Sequence, residues 1–394
     1  MPTLSRNLLL LFALNIAVSF STQLIQPLFP LYLKSLSASE VEIGFVLALS
    51  SVVATALTLP SGILIDRVGK KLMLLISVFL ATVPTVFISM LDDWRLVTPF
   101  YVALSASFSF FVPARMALIA ESATPENRAT LFGLMNVAWP IGGIISPVLS
   151  GYTAEKFGWG LAFLISAAIN GVSLLPTLLI TESRDGREEA EADPEAGRSP
   201  LLDRRYVPFM VLLFVFHLLM ATGMGAVNMI LPIFIENEFK LSYYLIGLFF
   251  TATNVMTLIT QIPSGYIADR YGRKKLILIC IAAIPPLFFL WPFVQNWVIL
   301  LVLFAAAGWL WSMTWPATLA LVTDSVPKEF IGTAFGVRMT GTRLGFTIGP
   351  ILAGFLYGAY APSTPFVFAA VFFLLSLPFA FLFKERPKLN SGTT

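Results

Sequence analysis

Stretches apolar and long enough to cross a lipid bilayer recur twelve times along this chain, and no other feature constrains its fold as tightly. A hydrocarbon core of about 30 Å takes about 20 helical residues at about 1.5 Å each. The runs predicted to cross are 8–33, 41–65, 72–91, 96–121, 129–153, 160–180, 206–235, 242–268, 275–293, 297–323, 331–358 and 363–383. A backbone in lipid must satisfy its own N–H and C=O groups, which leaves helices or a closed barrel. Barrel strands are short and alternate polar with apolar residues, whereas these runs are continuous and about twice too long. The expected fold is an all-α membrane protein with twelve transmembrane helices, integral to the cell membrane and with the lipid bilayer as its first partner.

Composition agrees: 57% of the 394 residues are hydrophobic and 12% charged, with a mean hydropathy of +0.84, far from a soluble domain. A net charge of +3 is too small, and too confined to helix ends, to suit a nucleic-acid partner. The single cysteine, Cys280, has no mate for a disulfide or a thiolate metal site within the chain. Arg6 precedes an apolar run, but that run continues past Asn15 to Leu33 without a small-x-small cleavage pattern, so it is expected to be an uncleaved first helix. There is no HExxH, GxSxG or P-loop. No enzyme, metal or cofactor is expected, and a monomer suffices.

Cations set the orientation. With both termini placed in the cytoplasm, the inner segments hold 18 Lys and Arg and the outer loops only Lys34, Arg95, Lys156 and Lys240, which is the positive-inside skew. Arg115, Arg338 and Arg343 fall inside helices. Trp94, Trp159, Trp291 and Trp297 sit at predicted outer ends, where an indole buries its rings and wets its N–H.

Residues 181–205, with eight acids, five bases and two prolines, form a solvated linker. It divides residues 1–180 from 206–394, and the two parts repeat one another. At an offset of 203, Gly44 aligns with Gly247, Pro60 with Pro263, Asp66 with Asp269, Gly69 with Gly272, Pro113 with Pro316, Glu121 with Asp324, Gly133 with Gly336, Pro147 with Pro350 and Gly151 with Gly354. At 202, Asn15 aligns with His217 and Pro30 with Pro232. Six crossings are even, so both bundles run the same way through the membrane, related by an axis along its normal. Two six-helix bundles facing one another frame a cleft.

The segment GILIDRVGKKLML resembles the G-x-L-a-D-R-x-G-R-K-x-x-L loop of the major facilitator superfamily, matching at Gly62, Leu64, Asp66, Arg67, Gly69, Lys70, Lys71 and Leu74. Its second copy matches at Gly265, Asp269, Arg270, Gly272, Arg273 and Lys274, with Ile267 and Ile277 for the two leucines. A carboxylate there can accept from the free N–H groups at another helix's start, and Gly62 lets backbones approach. The resemblance implies that Asp66 docks on the inner start of helix eleven, near Gly332 to Ala334, and Asp269 on helix five near Ala129. Glu121 and Asp324 would complete a charged cluster with Arg67 and Arg270, and Arg338 would pair or snorkel near this cytoplasmic gate. Such contacts lock one state and break in the other.

The family's proton-exchanging exporters carry G-x-x-x-G-P-x-x-G-G in helix five. Here Gly142-x-x-x-Ser146-Pro147-x-x-Ser150-Gly151 resembles it with two serines, and helix eleven repeats it as Gly345-x-x-x-Gly349-Pro350-x-x-Ala353-Gly354. Small residues at this spacing also allow close helix packing. The R-x-x-Q-G of antiporter helix four is replaced by YVALS, Tyr101 to Ser105, so the arginine tied to proton coupling is missing. The resemblance implies a secondary transporter of small molecules, with efflux of drug-like amphiphiles or organic anions ahead of uptake or facilitated passage of a sugar, carboxylate or amino acid, or transport of a lipid-like amphiphile. A proton is the coupling ion to test.

All 22 Asp and Glu lie at helix ends or in loops. Intramembrane proton relays use Asp, Glu or His, which leaves His217. His217, Ala221, Met224 and Asn228 share one helical face, and Asn15, Ser19, Thr22 and Gln26 share its counterpart on helix one. Two such stripes read as cavity lining. Helix eleven presents Thr340, Arg343 and Thr347 on one face, with Arg338 about 140° away. Around the cleft Asn136, Trp139, Asn254, Thr257, Gln261, Trp311 and Trp315 are expected. Arg343, near mid-membrane without a carboxylate at its depth, calls for compensation by carbonyls, water or an anionic cargo.

Overall fold

The computed structural model describes residues 5–123, 128–181, 205–327 and 330–383, and within its helices the side chains of residues 59, 63, 66, 128–130, 262 and 269 fall outside the description, as does the linker predicted at 181–205 from residue 182 to 204. The described residues form long helices joined by short turns: α1 (Arg6–Ile25), α2 (Phe29–Ser35), α3 (Glu40–Val68), α4 (Lys70–Ile88), α5 (Trp94–Glu121), α6 (Arg128–Gly143), α7 (Ser146–Phe157), α8 (Trp159–Val172), α9 (Leu174–Leu179), α10 (Val207–Phe239), α11 (Tyr243–Tyr271), α12 (Arg273–Leu290), α13 (Trp297–Ser325), α14 (Ile331–Ala359) and α15 (Thr364–Leu382). Among them, 11 stretches are long and apolar enough to cross a membrane. The protein is an integral, multi-pass membrane protein. α14, with 29 residues, is long enough but is not among the 11, because glycines, threonines and Arg338 and Arg343 dilute its apolar residues.

Three predicted runs are interrupted. The first is divided at Gln26–Leu28, beside Pro27 and Pro30. The fifth breaks after Gly142 and Gly143, where Pro147 cannot donate an N–H to the preceding turn. The sixth is kinked at Ser173, whose hydroxyl bonds back to the Asn170 carbonyl at 2.6 Å. Local chemistry also fixes the tight turns. Ser39 and Glu42 form a capping box at the start of α3. Gly69 (φ 95°) and Gly272 (φ 98°) are single-residue links between antiparallel helices, and side chains rarely adopt that conformation. Trp291, expected at an interface, is fully buried, its ring 4.4 Å from that of Phe366.

α1 and α15 place the described ends of the chain on one side of the bundle, here the terminal end. At the far end the two parts of the chain meet closely. A Cβ on Gly44 would stand 2.5 Å from the Pro350 carbonyl oxygen, and one on Gly247 would collide with Pro147. Likewise Gly354 lies against Glu40 and Gly151 against Tyr243. These contacts come in reciprocal pairs, each the other shifted by 203 positions. At the terminal end a Cβ on Gly62, Gly133, Gly265, Gly332 or Gly336 would meet nothing within 4 Å. Among the described residues Gly62 therefore brings no backbones together, and the halves make no such close approach at that end. Among the described residues the fold encloses a cleft that is shut at the far end and open at the terminal end.

Candidate substrate cleft

The repeated basic segments brace each half internally. Lys70 Nζ pairs with Glu121 at 2.7 Å, and Arg273 pairs with Asp324 while donating to the Ala320 carbonyl at 2.8 Å. Lys71 donates to the Leu178 carbonyl at 2.5 Å and Lys274 to that of Phe381 at 2.6 Å, again 203 residues on. The acids thus meet Lys70 and Arg273, the first residues of the following helices, in place of the expected Arg67 and Arg270. Arg270 lies over the Tyr271 ring at 5.6 Å. The side chains of Asp66, Asp269 and Ala129, and with them the docking expected of the two aspartates, lie outside the described residues.

The polar stripes are largely occupied by helix contacts. Ser19 Oγ donates to the Trp139 carbonyl at 2.5 Å, and Asn15 Nδ2 lies 3.8 Å from Met135 Sδ. Thr22 bonds to its own helix at Val18, and Gln26 is exposed in the interruption after α1. Met224 is buried and Asn228 half-buried. Asn254 on α11 reaches across the seam, its Nδ2 donating to Gln23 Oε1 at 2.8 Å and to the Gly143 carbonyl at 3.1 Å. Thr251 similarly donates to the Ile144 carbonyl at 2.8 Å. The Gly143 and Ile144 carbonyls lie at the α6–α7 break. Thr347 Oγ1 donates to Ser51 Oγ at 2.9 Å, so it belongs to the closed seam. Thr257 and Gln261 are half-buried along α11, Trp139 lies edge-on to Phe108, and Trp311 edge-on to Phe373.

Three arginines lie inside long helices, and among the described residues none has a carboxylate partner. Arg338, expected at the gate, is instead buried, its Nε donating to His217 Nε2 at 3.1 Å and its guanidinium 4.6 Å from the ring centroid of Trp315. His217 Nδ1 lies 2.8 Å from the Leu213 carbonyl. That carbonyl can only accept, so Nδ1 bears the hydrogen and Nε2 is the acceptor for Arg338. Both ring nitrogens of a neutral imidazole are used, leaving no place for a further proton in this state. Arg115, on α5, donates to Asn15 Oδ1 and Asn136 Oδ1, each at 3.3 Å, and its Nε is buried without a partner. Arg343 is half-buried, and among the described residues its guanidinium makes no hydrogen bond or ion pair. It shares a face with Gly332, Gly336 and Thr340, which are exposed toward the open end.

The glycine motifs do steric work. A Cβ on Gly345 would lie 2.6 Å from Ala221 Cβ, and one on Gly142 2.6 Å from Ser19 Oγ. Gly349 packs on Thr222 and Ala226, Pro350 and Pro147 lend backbone to the seam, and Gly151 and Gly354 seal its far end. Sequence reasoning missed the far-end bolt, where Lys34 Nζ meets Glu236 Oε2 at 2.5 Å and also Asn237. A signal existed: Lys34 and Glu236 are repeat mates 202 apart, and mates on an axis of symmetry must meet.

Comparison with known proteins places this all-α membrane fold in a family. The chain matches the Major Facilitator Superfamily over residues 11–224 and 213–394. It belongs to that family. It is a secondary transporter of small organic molecules, in a family of transporters and not of enzymes. Among its relatives, "Multidrug resistance protein 2" of Bacillus subtilis (strain 168) is 24% identical over 382 residues, covering 94% of each chain. The "Cis,cis-muconate transport protein" of Acinetobacter baylyi is 23% identical over 335 residues, covering 82% of this chain and 80% of the relative. A bacterial homolog of the human lysosomal transporter Spinster, solved in an inward-facing and occupied conformation, superposes with a TM-score of 0.78 at 15% identity over 95% of both chains. That likeness concerns the fold.

Proposed function

We propose that the chain exports small amphiphilic or organic-anion compounds across the cell membrane by alternating access, as a monomer with twelve crossings and cytoplasmic termini. The terminal end is then the cytoplasmic one, and the cleft described above is the inward-open state. The observation that carries the cargo class is Arg343: a guanidinium at mid-helix depth, on the open face of α14, without an ion pair among the described residues. A cation left in hydrocarbon costs from about 2.5 to over 10 kcal/mol, so an anionic group on the cargo is the natural complement. Arg115 and Arg338 add to the positive potential, and the aromatic faces of Trp311, Trp315 and Trp139 suit an apolar body. The multidrug-resistance names among the relatives favour efflux. The muconate relative's name favours a carboxylate.

In this reading Asp66 and Asp269 bias the cytoplasmic gate, and protons moving inward would drive export. The test uses purified protein in liposomes with an imposed pH gradient and a panel of labelled aromatic carboxylates, sulfonates and neutral amphiphiles. Gradient-driven accumulation on the side that corresponds to the cell exterior is expected. Accumulation on the opposite side would make the protein an uptake permease, and transport indifferent to any gradient would make it a facilitator.

A further inference from the structure

We infer that the cleft is built for a cargo carrying two anionic groups, gripped between Arg115 in the first half and Arg338 in the second. The inference rests on the reading of the chain as a transporter with a central cleft, and it sharpens the cargo class. Arg115 is held by Asn15 of α1, and Arg338 by His217 of α10. Asn15 and His217 are repeat mates, and their helices recur in other contacts: Gly142 meets α1 at Ser19 and Phe20, and Gly345 meets α10 at Ala221 and Thr222. The two guanidinium groups therefore stand at matching depths in the two halves, although one comes from α5 and the other from α14. The sequence repeat does not pair these arginines; Arg115 aligns with Thr318 and Arg338 with Met135. Each half has placed a cation beside the same spot by its own route.

Their surroundings are acceptors without charge. Asn15 and Asn136 offer amide oxygens at 3.3 Å, His217 a ring nitrogen at 3.1 Å and Trp315 the face of its indole. Such groups orient a guanidinium and solvate it partly, but they cannot neutralise it. Arg115 is 8% exposed and its Nε has no partner, while Arg338 is 5% exposed. Among the described residues no Asp or Glu lies beside either. Two half-solvated cations at one depth repel each other as well, so each leaves room for an anion that the protein does not supply. Asn136 lies on α6 one turn beyond Gly133, where open space begins, and Trp315 is 42% exposed. Each buried cation thus touches a partner that is not itself buried, Asn136 for Arg115 and Trp315 for Arg338, through which a cargo would reach it. A planar fork presented from each side suits two carboxylates on a rigid body.

The test is binding to the purified full-length protein in lipid nanodiscs, by calorimetry, with naphthalene-2,6-dicarboxylate, 2-naphthoate and 2-naphthamide. The dicarboxylate should bind about tenfold tighter than the monocarboxylate, and the amide weakest. Arg115→Gln and Arg338→Gln should each bring the dicarboxylate down to the affinity of the monocarboxylate while leaving the amide unchanged. His217→Gln, which keeps an acceptor near Nε2, should preserve the ranking. Equal affinity of the wild type for mono- and dicarboxylate would overturn the inference, and that result needs no variant to fold. A uniform loss for all three ligands in the glutamine variants would overturn it also. Binding is blind to direction, so export can fail as a reading while this ranking stands, and the ranking can fail while vesicles still export.

Discussion

Replacing Lys34 by methionine should loosen the far end of the cleft. Lys34 Nζ reaches Glu236 Oε2 at 2.5 Å and also Asn237, and Asn237 is itself tied to the Tyr357 hydroxyl at 2.8 Å. The two charged side chains keep 27% and 28% of their exposure, so the pair is neither a solvated surface pair nor a dry one. Exposed pairs contribute about 0.2–1 kcal/mol, and truncating a buried hydrogen-bonded charge pair costs about 2–5 kcal/mol. A value of about 1–2 kcal/mol lies between, which shifts a two-state population about 5- to 30-fold. The sign is fixed by location: the bond exists only while the far end is shut, so its loss favours the state opened there. Ala48 faces the seam one turn from Gly44 and is 3% exposed. In a Cys280→Ser background, Ala48→Cys should react with an impermeant maleimide added from the far side about tenfold faster when Lys34→Met is present. The swapped pair Lys34→Glu with Glu236→Lys should return the rate toward that of the parent. An unchanged rate in Lys34→Met, or a swap as fast as the single variant, would refute the bolt.

Gly345→Leu forces a branched chain where even a Cβ stands 2.6 Å from Ala221 Cβ and the Leu218 carbonyl oxygen. It should cost about 3 kcal/mol, seen as a lower melting temperature in detergent, whereas Gly62→Ala, facing open space, should melt like the parent but turn over more slowly because the gate must close on it. Asp66→Asn should likewise fold and bind yet transport poorly; undiminished turnover at equal expression would remove it from the gate. His217→Gln should leave any response of flux to a pH gradient intact, since Arg338 already holds the ring in its neutral form; loss of that response would restore histidine as the proton carrier. Reporters at Ser391 and within 181–205 should both be cytoplasmic, and labelling of either from outside would break the twelve-crossing reading.

Hydropathy and the 203-residue repeat made the membrane fold legible, because both depend only on which residues lipid and symmetry admit. The glycine motifs were legible as contacts for the same reason: a missing side chain at Gly142 or Gly345 means that something else is there. Side-chain partners were less legible. Arg338 looked like a gate residue by its distance from the helix end, but the face it occupies points at His217, and only the pairing of α10 with α14 reveals that. Glu121 and Asp324 were assigned to the arginines of the repeated loop, yet they pair with the first residue of the next helix, Lys70 or Arg273. The break in helix five was not legible in the sequence, where 129–153 reads as one crossing; its Gly142 and Pro147 recur as Gly345 and Pro350 inside an unbroken α14. The difference lies in what donates to the freed carbonyls.

That difference suggests where the work of switching resides. The α6–α7 break exposes the carbonyls of Gly143 and Ile144, and the second half occupies them with Asn254 and Thr251. Gln23 to Asn254, Ser51 to Thr347 and the Lys34 bolt complete the polar part of the seam. Opening the far end exchanges these bonds for water, and each is worth about 0.5–1.5 kcal/mol net, so the shut far end is favoured by several kcal/mol before anything happens at the other end. A transporter with so lopsided a balance would stall, since the minor state must stay populated for turnover. The terminal end has to offer a comparable gain when it closes. The bonds of Lys70 to Glu121, Lys71 to Leu178, Arg273 to Asp324 and Ala320, and Lys274 to Phe381 lie within each half, so these bonds need not change when that end closes. We propose that Asp66 and Asp269 of the duplicated segment supply that gain by docking at the helix starts at Gly332 and near Ala129 when that end closes. On this accounting the duplicated segment counterweights the far-end seam. Neutralising both aspartates together should therefore trap the cleft open at the terminal end, with Ala48→Cys less reactive from the far side than in the parent; a rise in that reactivity would place the balance elsewhere.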